Sequence, residues 1–156
     1  LNEYLEFSSS QINEKTDVFQ LDQLLVDIVS KYDSDKIKLS IENEITYKGR
    51  FNSLKRCLTN LVNNALSYGN KAEISLKNSM NNILIFIDDD GPGISEEEKK
   101  NVIKPFYRID KSRSQNKTGV GLGLSIASDI IKSHGGNIFL ETSPQKGLRV
   151  KISLPS

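Results

Sequence analysis

The chain has 156 residues, with 21 basic against 20 acidic side chains and a net charge of +1, so bulk charge gives no reason to expect nucleic-acid binding or general membrane adhesion. At 37% hydrophobic and 26% charged residues the composition carries no disorder signature and suits one compact domain with a short extra arm. One cysteine, Cys57, excludes an internal disulfide, and no run approaches the roughly 20 apolar residues that span a bilayer.

Leu1 to about Lys15 carries Leu1, Tyr4, Leu5 and Ile12 at near-helical spacing, broken by Ser8-Ser9-Ser10. A start at Leu rather than Met is expected of a piece excised from a longer protein. Val18 to Leu21 is expected as a short strand, and Asp22 as the N-cap of a helix holding Leu24, Leu25, Ile28 and Val29 on one face. Ile37, Leu39, Ile41 and Ile45 largely alternate with polar residues, the period of a half-buried strand, and Gly49 ends a second extended piece. Asn52 to about Tyr68 reads as a helix with an apolar stripe of Leu54, Leu58, Leu61, Val62, Ala65 and Leu66. Cys57 falls inside it as a small buried residue. Gly69 follows, where a helix end favours left-handed backbone.

Strands are expected over Ala72–Lys77 and Ile83–Asp88, joined by the turn-prone Asn78 to Asn82. Ser95 and Glu98 form a capping-box pattern opening a helix to about Ile103. Lys104 to Thr118 is long, polar and basic, with Lys104, Arg108, Lys111, Arg113 and Lys117, the character of a functional lid or of a disordered connection. Gly121 to His134 is an amphipathic helix stopped by Gly135-Gly136. Ile138–Thr142 and Leu148–Leu154 close the chain as a hairpin. Helices lie between hairpins, so the pattern predicts a two-layer α+β sandwich with a mixed sheet rather than a doubly wound fold.

Four elements carry chemistry. Asn60, Asn64 and Tyr68 are spaced by four and share a helix face. Asparagine is a poor mid-helix residue. Its carboxamides suit a hard cation such as Mg²⁺, or phosphate, and a solvated helix edge is the alternative. Asp88-Asp89-Asp90-Gly91-Pro92-Gly93 ends an apolar strand, where a carboxylate can accept from the exocyclic amine of a base or merely decorate a tight turn. Gly119-Val120-Gly121-Leu122-Gly123 runs into a helix, whose N-terminal amides and dipole suit phosphate. It lacks both the strand–turn–helix setting of a dinucleotide fold and the Gly-Lys-Ser/Thr of a P-loop. The basic stretch could neutralise a polyphosphate. His134, the only histidine, sits at a helix C-terminus, where a cationic or capping role is ordinary.

In this order, from about Arg56 to Ser125, the elements resemble the N, G1, F and G2 boxes of bacterial sensor histidine kinases, within the GHKL ATPase superfamily that includes gyrase, the Hsp90 chaperones and MutL. Arg56 to Gly69 and Asp89 to Gly93 look especially like osmosensor-type kinases. The resemblance implies the Bergerat ATP-binding fold, a mixed sheet packed on about three helices with an ATP lid. It implies domains at 1–15, the end of a dimerisation and phosphoacceptor helical hairpin, and at 16–156, the catalytic ATP-binding domain. Its cofactors are ATP and Mg²⁺. Asn64 matches the Mg²⁺-ligating asparagine, with Asn60 one turn earlier. Asp89 matches the acceptor of the adenine amino group, with Gly91, Gly93 and Ile94 beside it, and Tyr68 the aromatic residue on adenine. Phe106 resembles the lid's anchor, Arg108 and Arg113 its phosphate-reaching arginines, and Gly119, Val120, Gly121, Leu122 and Gly123 the phosphate-facing turn.

Ser67 departs from the pattern, since many relatives carry Lys or Arg there; the lid or Lys71 would have to supply that charge. Asn60 stands where hydrolases of the superfamily place a water-activating glutamate, and an amide is no general base. The implied reaction is therefore phosphoryl transfer from ATP to an upstream histidine absent from this chain, not to His134. An ATP-hydrolysing or Ser/Thr-phosphorylating relative, and a non-catalytic ATP-binding module, are the alternatives. The implied partners are the chain's own histidine phosphotransfer domain and an OmpR-like response regulator. The implied setting is the cytoplasmic part of a homodimer anchored in the bacterial inner membrane, this piece alone being monomeric.

Overall fold

The computed structural model describes residues 14–99 and 120–156, with residues 120–123 described as backbone only. The elements run β1 (Asp17–Gln20), α1 (Leu21–Val29), β2 (Ile37–Ile41), β3 (Thr46–Gly49), α2 (Phe51–Tyr68), β4 (Ala72–Ser79), β5 (Asn82–Asp89), α3 (Glu96–Lys99), α4 (Val120–Ser133), β6 (Asn137–Thr142) and β7 (Leu148–Pro155). The expected Leu1–Lys15 helix lies almost wholly outside the described residues, and the stretch from 100 through the lid lies outside them entirely.

β2-β4-β5-β7-β6 form one five-stranded sheet, and β1 pairs with β3 in a separate antiparallel ribbon. The large sheet is mixed: β2 runs parallel to β4, and the other pairings are antiparallel. Alternation decides its two faces. Ile74, Leu76, Ile83, Ile85, Ile87, Val150, Ile152 and Leu154 are buried together, and with Leu54, Leu58, Leu61, Val62, Ile126, Ala127, Ile130 and Ile131 from α2 and α4 they make one core. The intervening residues lie on the opposite face, where Arg149 packs over the Phe86 ring at 4.6 Å. This is the expected two-layer α+β sandwich.

Local expectations changed in four places, the first being that β2 ends at Ile41 and leaves Ile45 outside any strand. Asp22 is not an N-cap: Gln20 holds that position and α1 begins at Leu21. Asp22 is instead buried, its Oδ1 accepting from the Ile45 amide at 3.0 Å, which ties α1 to the start of the β3 ribbon. Gly69 is not left-handed; its φ of −111° is extended. Glycine fits there because a Cβ would come within 2.6 Å of the Asp90 carboxylate. The β4–β5 turn is tighter than expected, with both strands extended to Ser79 and Asn82 and Met80 at φ +52°.

Candidate functional site

β5 determines where three consecutive carboxylates go. Its apolar residues Ile83, Ile85 and Ile87 face the helices, so strand alternation sends Asp89 to the same side and Asp88 to the other. Asp88 pairs across the ladder with Arg149 and takes a two-point ion pair from it, Nε to Oδ1 at 2.8 Å and Nη2 to Oδ2 at 2.9 Å. Asp90, just past the strand, accepts from the amides of Asn70 and Lys71 at 2.7 and 2.9 Å. Those bonds hold the Asp90 carboxyl below its ordinary pKa and fasten the acidic turn to the segment after α2. The three neighbouring carboxylates thus enter three separate surroundings.

Asp89 is buried beside the helices. Its Oδ1 accepts from the amides of Gly91 at 2.9 Å and Leu148 at 3.1 Å, while its backbone carbonyl accepts from Ser143 Oγ at 2.7 Å. Burial nonetheless raises its pKa, with Asp90 and Asp88 adding to the rise and the two amides opposing it. The 143–148 turn presses on it so closely that a Cβ at Gly147 would sit 2.2 Å from the Asp89 carbonyl oxygen. Ser143, Gly147 and Leu148 therefore fix the aspartate that the sequence singled out. The sequence predicted the hairpin they belong to but not the strand end they would meet.

Gly91 lies against the Tyr68 carbonyl, where an added Cβ would come within 2.7 Å, so the acidic turn and the end of α2 form one corner. Gly93 has φ +76°, and Ile94 is half-buried against the core. Asn60 and Asn64 lie half-buried on α2, along the same helix face as Tyr68.

α2 and α4 pack antiparallel. The Arg50 amide donates to His134 Nε2 at 3.1 Å, and Cys57 Sγ lies 3.8 Å from the Ala127 carbonyl. Two helical turns further along both helices, that register sets Asn64 level with Val120, where α4 begins. Asn64, Tyr68, Asp89, Gly91, Gly93 and Ile94 are therefore gathered around the end of the α2–α4 pair that holds the glycine-rich start. Gly121 and Gly123 fall within the first turn of α4. Phe106, Arg108, Arg113 and Gly119 lie outside the described residues, as do the side chains of Val120 and Leu122.

One atom stands out there. Asn64 Nδ2 is buried and has no hydrogen-bond partner among the described residues, a situation that costs about 1–3 kcal/mol unless an acceptor arrives. An oxyanion would satisfy it and leave Oδ1 for a hard cation, so the donor set fits Mg²⁺ with phosphate. Among the described residues no group of three or more His, Cys, Asp or Glu side chains could hold a metal by itself.

Of the two roles its helix end suggested, His134 takes the capping one and is not a cation. Its Nδ1 lies 2.8 Å from the Ile130 carbonyl and its Nε2 accepts from Arg50, which requires the neutral ring with its proton on Nδ1. Burial lowers its pKa, and the nearby Arg50 charge lowers it further. Cys57 is fully buried, and burial raises its thiol pKa, which suits the inert packing role.

The chain matches the model of the histidine kinase-, DNA gyrase B- and HSP90-like ATPase family over residues 49–156. It is 35% identical over 147 residues to the sensor histidine kinase GtrS of Pseudomonas aeruginosa, covering 94% of this chain and 30% of that protein. To the sensor histidine kinase CpxA of Escherichia coli K12 it is 43% identical over 108 residues, 69% of this chain and 24% of the relative. The chain thus spans less than a third of either curated relative. Among solved structures, the histidine kinase domain of the E. coli osmosensor EnvZ superposes with a TM-score of 0.68 at 32% identity, covering 89% of this chain and 88% of that one.

Proposed function

The chain belongs to the histidine kinase-, DNA gyrase B- and HSP90-like ATPase family, and from that premise we propose that it binds Mg-ATP and donates the γ-phosphoryl group to a histidine on an upstream domain of a two-component sensor kinase. The observation that carries this reading is the orphaned Nδ2 of Asn64, at the corner where the buried Asp89 and the first turn of α4 converge. A nucleotide offers what each lacks: an amine for Asp89, oxyanions for Asn64 and for the helix-start amides.

In this mechanism Asp89 accepts from the adenine amino group through its carboxylate. Its Oδ1 is already held by Gly91 and Leu148, so the acceptor is oriented before the base arrives. Tyr68 packs on the ring. Asn64, with Asn60, would hold the cation, which would neutralise phosphate charge there. The backbone amides opening α4 receive the phosphates, helped by Arg108 and Arg113. Asn60 offers no base to deprotonate water, so hydrolysis lacks a catalyst, whereas a neutral imidazole needs only to be positioned. The acceptor nitrogen bonds to the γ-phosphorus as the bond to the bridging oxygen breaks, ADP departs, and the ring releases its proton.

His134 is a poor acceptor, with both ring nitrogens already engaged. The histidine is supplied by the dimerisation domain, and the phosphoryl group passes on to an OmpR-like response regulator. The parent is a homodimer whose catalytic part faces the cytoplasm; among the described residues no helix is long and apolar enough to cross a membrane.

The test is to titrate the chain with ATP at millimolar Mg²⁺, then add the acceptor hairpin and assay acid-labile phosphate. Binding followed by phosphohistidine supports the reading. Steady ATP consumption without the hairpin would point to a hydrolase, and binding without transfer to a non-catalytic module.

A further inference from the structure

The end of the α2–α4 pair opposite the nucleotide corner is built from three distant pieces of chain. The N-cap position of α2 belongs to Arg50, which makes no side-chain cap. Its amide goes to His134 and its guanidinium to Ser133 Oγ. The cap comes instead from Glu14, 38 residues before Asn52. Glu14 Oε2 accepts from the Asn52 amide at 2.6 Å, and Oε1 from the Ser53 amide at 2.9 Å and the Ser53 hydroxyl at 2.6 Å. These three bonds fix Glu14 in direction as well as place. Ser53 is buried, so the carboxylate is held at a defined depth.

We propose that Glu14 is a positioning residue for the transfer described above: clamped on the first turn of α2, it sets the angle at which the upstream chain leaves the domain and so where the acceptor histidine meets the nucleotide. The inference rests on that reading of the site. A local cap, such as a Ser or Asn at position 50, would satisfy the same amides without involving the incoming chain. Here the helix that carries Asn60 and Asn64 is capped by the residue through which the upstream chain enters, so cleft and entry share one rigid element.

The experiment uses the chain joined to its acceptor hairpin, comparing wild type with Glu14→Gln, whose amide cannot accept on both arms. Expected is a drop of about tenfold in the initial rate of phosphohistidine formation at saturating Mg-ATP, the scale of a small misplacement of reactants. The Kd for Mg-ATP should change less than twofold. When the hairpin is supplied as a separate protein, wild type and variant should transfer at equal rates. Equal rates in the joined chain would overturn the proposal. So would an equal loss in joined and separated formats, or a parallel weakening of nucleotide binding, since each marks an ordinary helix cap. A joined wild type that forms no phosphohistidine refutes the kinase reading and this inference with it, whereas an active wild type indifferent to Glu14 refutes this inference alone.

Discussion

The two ends of the α2–α4 helix pair treat their polar side chains differently. At one end Glu14, Ser53, Ser133 and His134 are matched donor to acceptor and the neutral histidine is held in a single tautomer, with Arg50 Nε, on a guanidinium already bonded to Ser133, left without a partner among the described residues. At the other end Asn64 keeps a buried amide nitrogen without a partner among the described residues, and Asp89 is buried against its own ionisation. Folding by itself would favour the first arrangement at both ends. The cost carried at the second end is recovered when a ligand brings the missing groups, so the contrast separates what holds the domain together from what it holds.

The sharpest way to break this contrast is Asn64→Ala. Calorimetry should show Mg-ATP affinity falling by about 100-fold, the upper range for a lost charge-assisted contact. The thermal midpoint should stay level or rise, because an orphaned polar atom is removed. Arg149→Ala should do the reverse and spare the site. It strands Asp88, buried on the far face of the sheet, and is expected to cost about 2–4 kcal/mol in chemical denaturation with nucleotide affinity little changed.

Asp89→Asn should reduce the preference for adenine over hypoxanthine nucleotides by roughly tenfold. Its pH behaviour sharpens the point. Because burial raises the Asp89 pKa, the carboxyl takes up its proton at a higher pH than an ordinary aspartate, and adenine affinity in the wild type should weaken as pH falls through that raised value. The Asn variant should lack this dependence.

At the satisfied end, His134 has a pKa lowered from 6.5, so the unfolded chain binds the extra proton first. Its contribution to stability is therefore complete above about pH 6.5 and is lost as pH falls from there toward the folded value. His134→Asn should flatten the wild-type change in thermal midpoint over that window. The smallest effect is expected remote from both ends: Met80→Gly relieves the positive φ in the β4–β5 turn and should stabilise by about 0.5–1 kcal/mol, leaving nucleotide binding untouched.

Periodicity alone determined most of the fold. The apolar stripe from Leu54 to Leu66, the alternation in β5 and β7 and the glycines at 135 and 136 each specify local geometry, and α2, β4, β5, α4, β6 and β7 begin and end within two residues of expectation, whereas β2 stops at Ile41, short of the expected Ile45. The candidate site was legible through the spacing of Asn60, Asn64 and Tyr68 and the acidic glycine turn, since helical period and tight-turn chemistry are written over a few neighbouring positions. What only the tertiary structure decided was the identity of partners. Asp22 was free to cap its own helix until the Ile45 amide came within reach, and His134 was free to carry a charge until Arg50 supplied a donor. Glu14 and the 143–148 turn found their targets dozens of residues away. A hydrogen bond between distant segments leaves no periodic trace in the chain, because its geometry depends on the packing of everything between them.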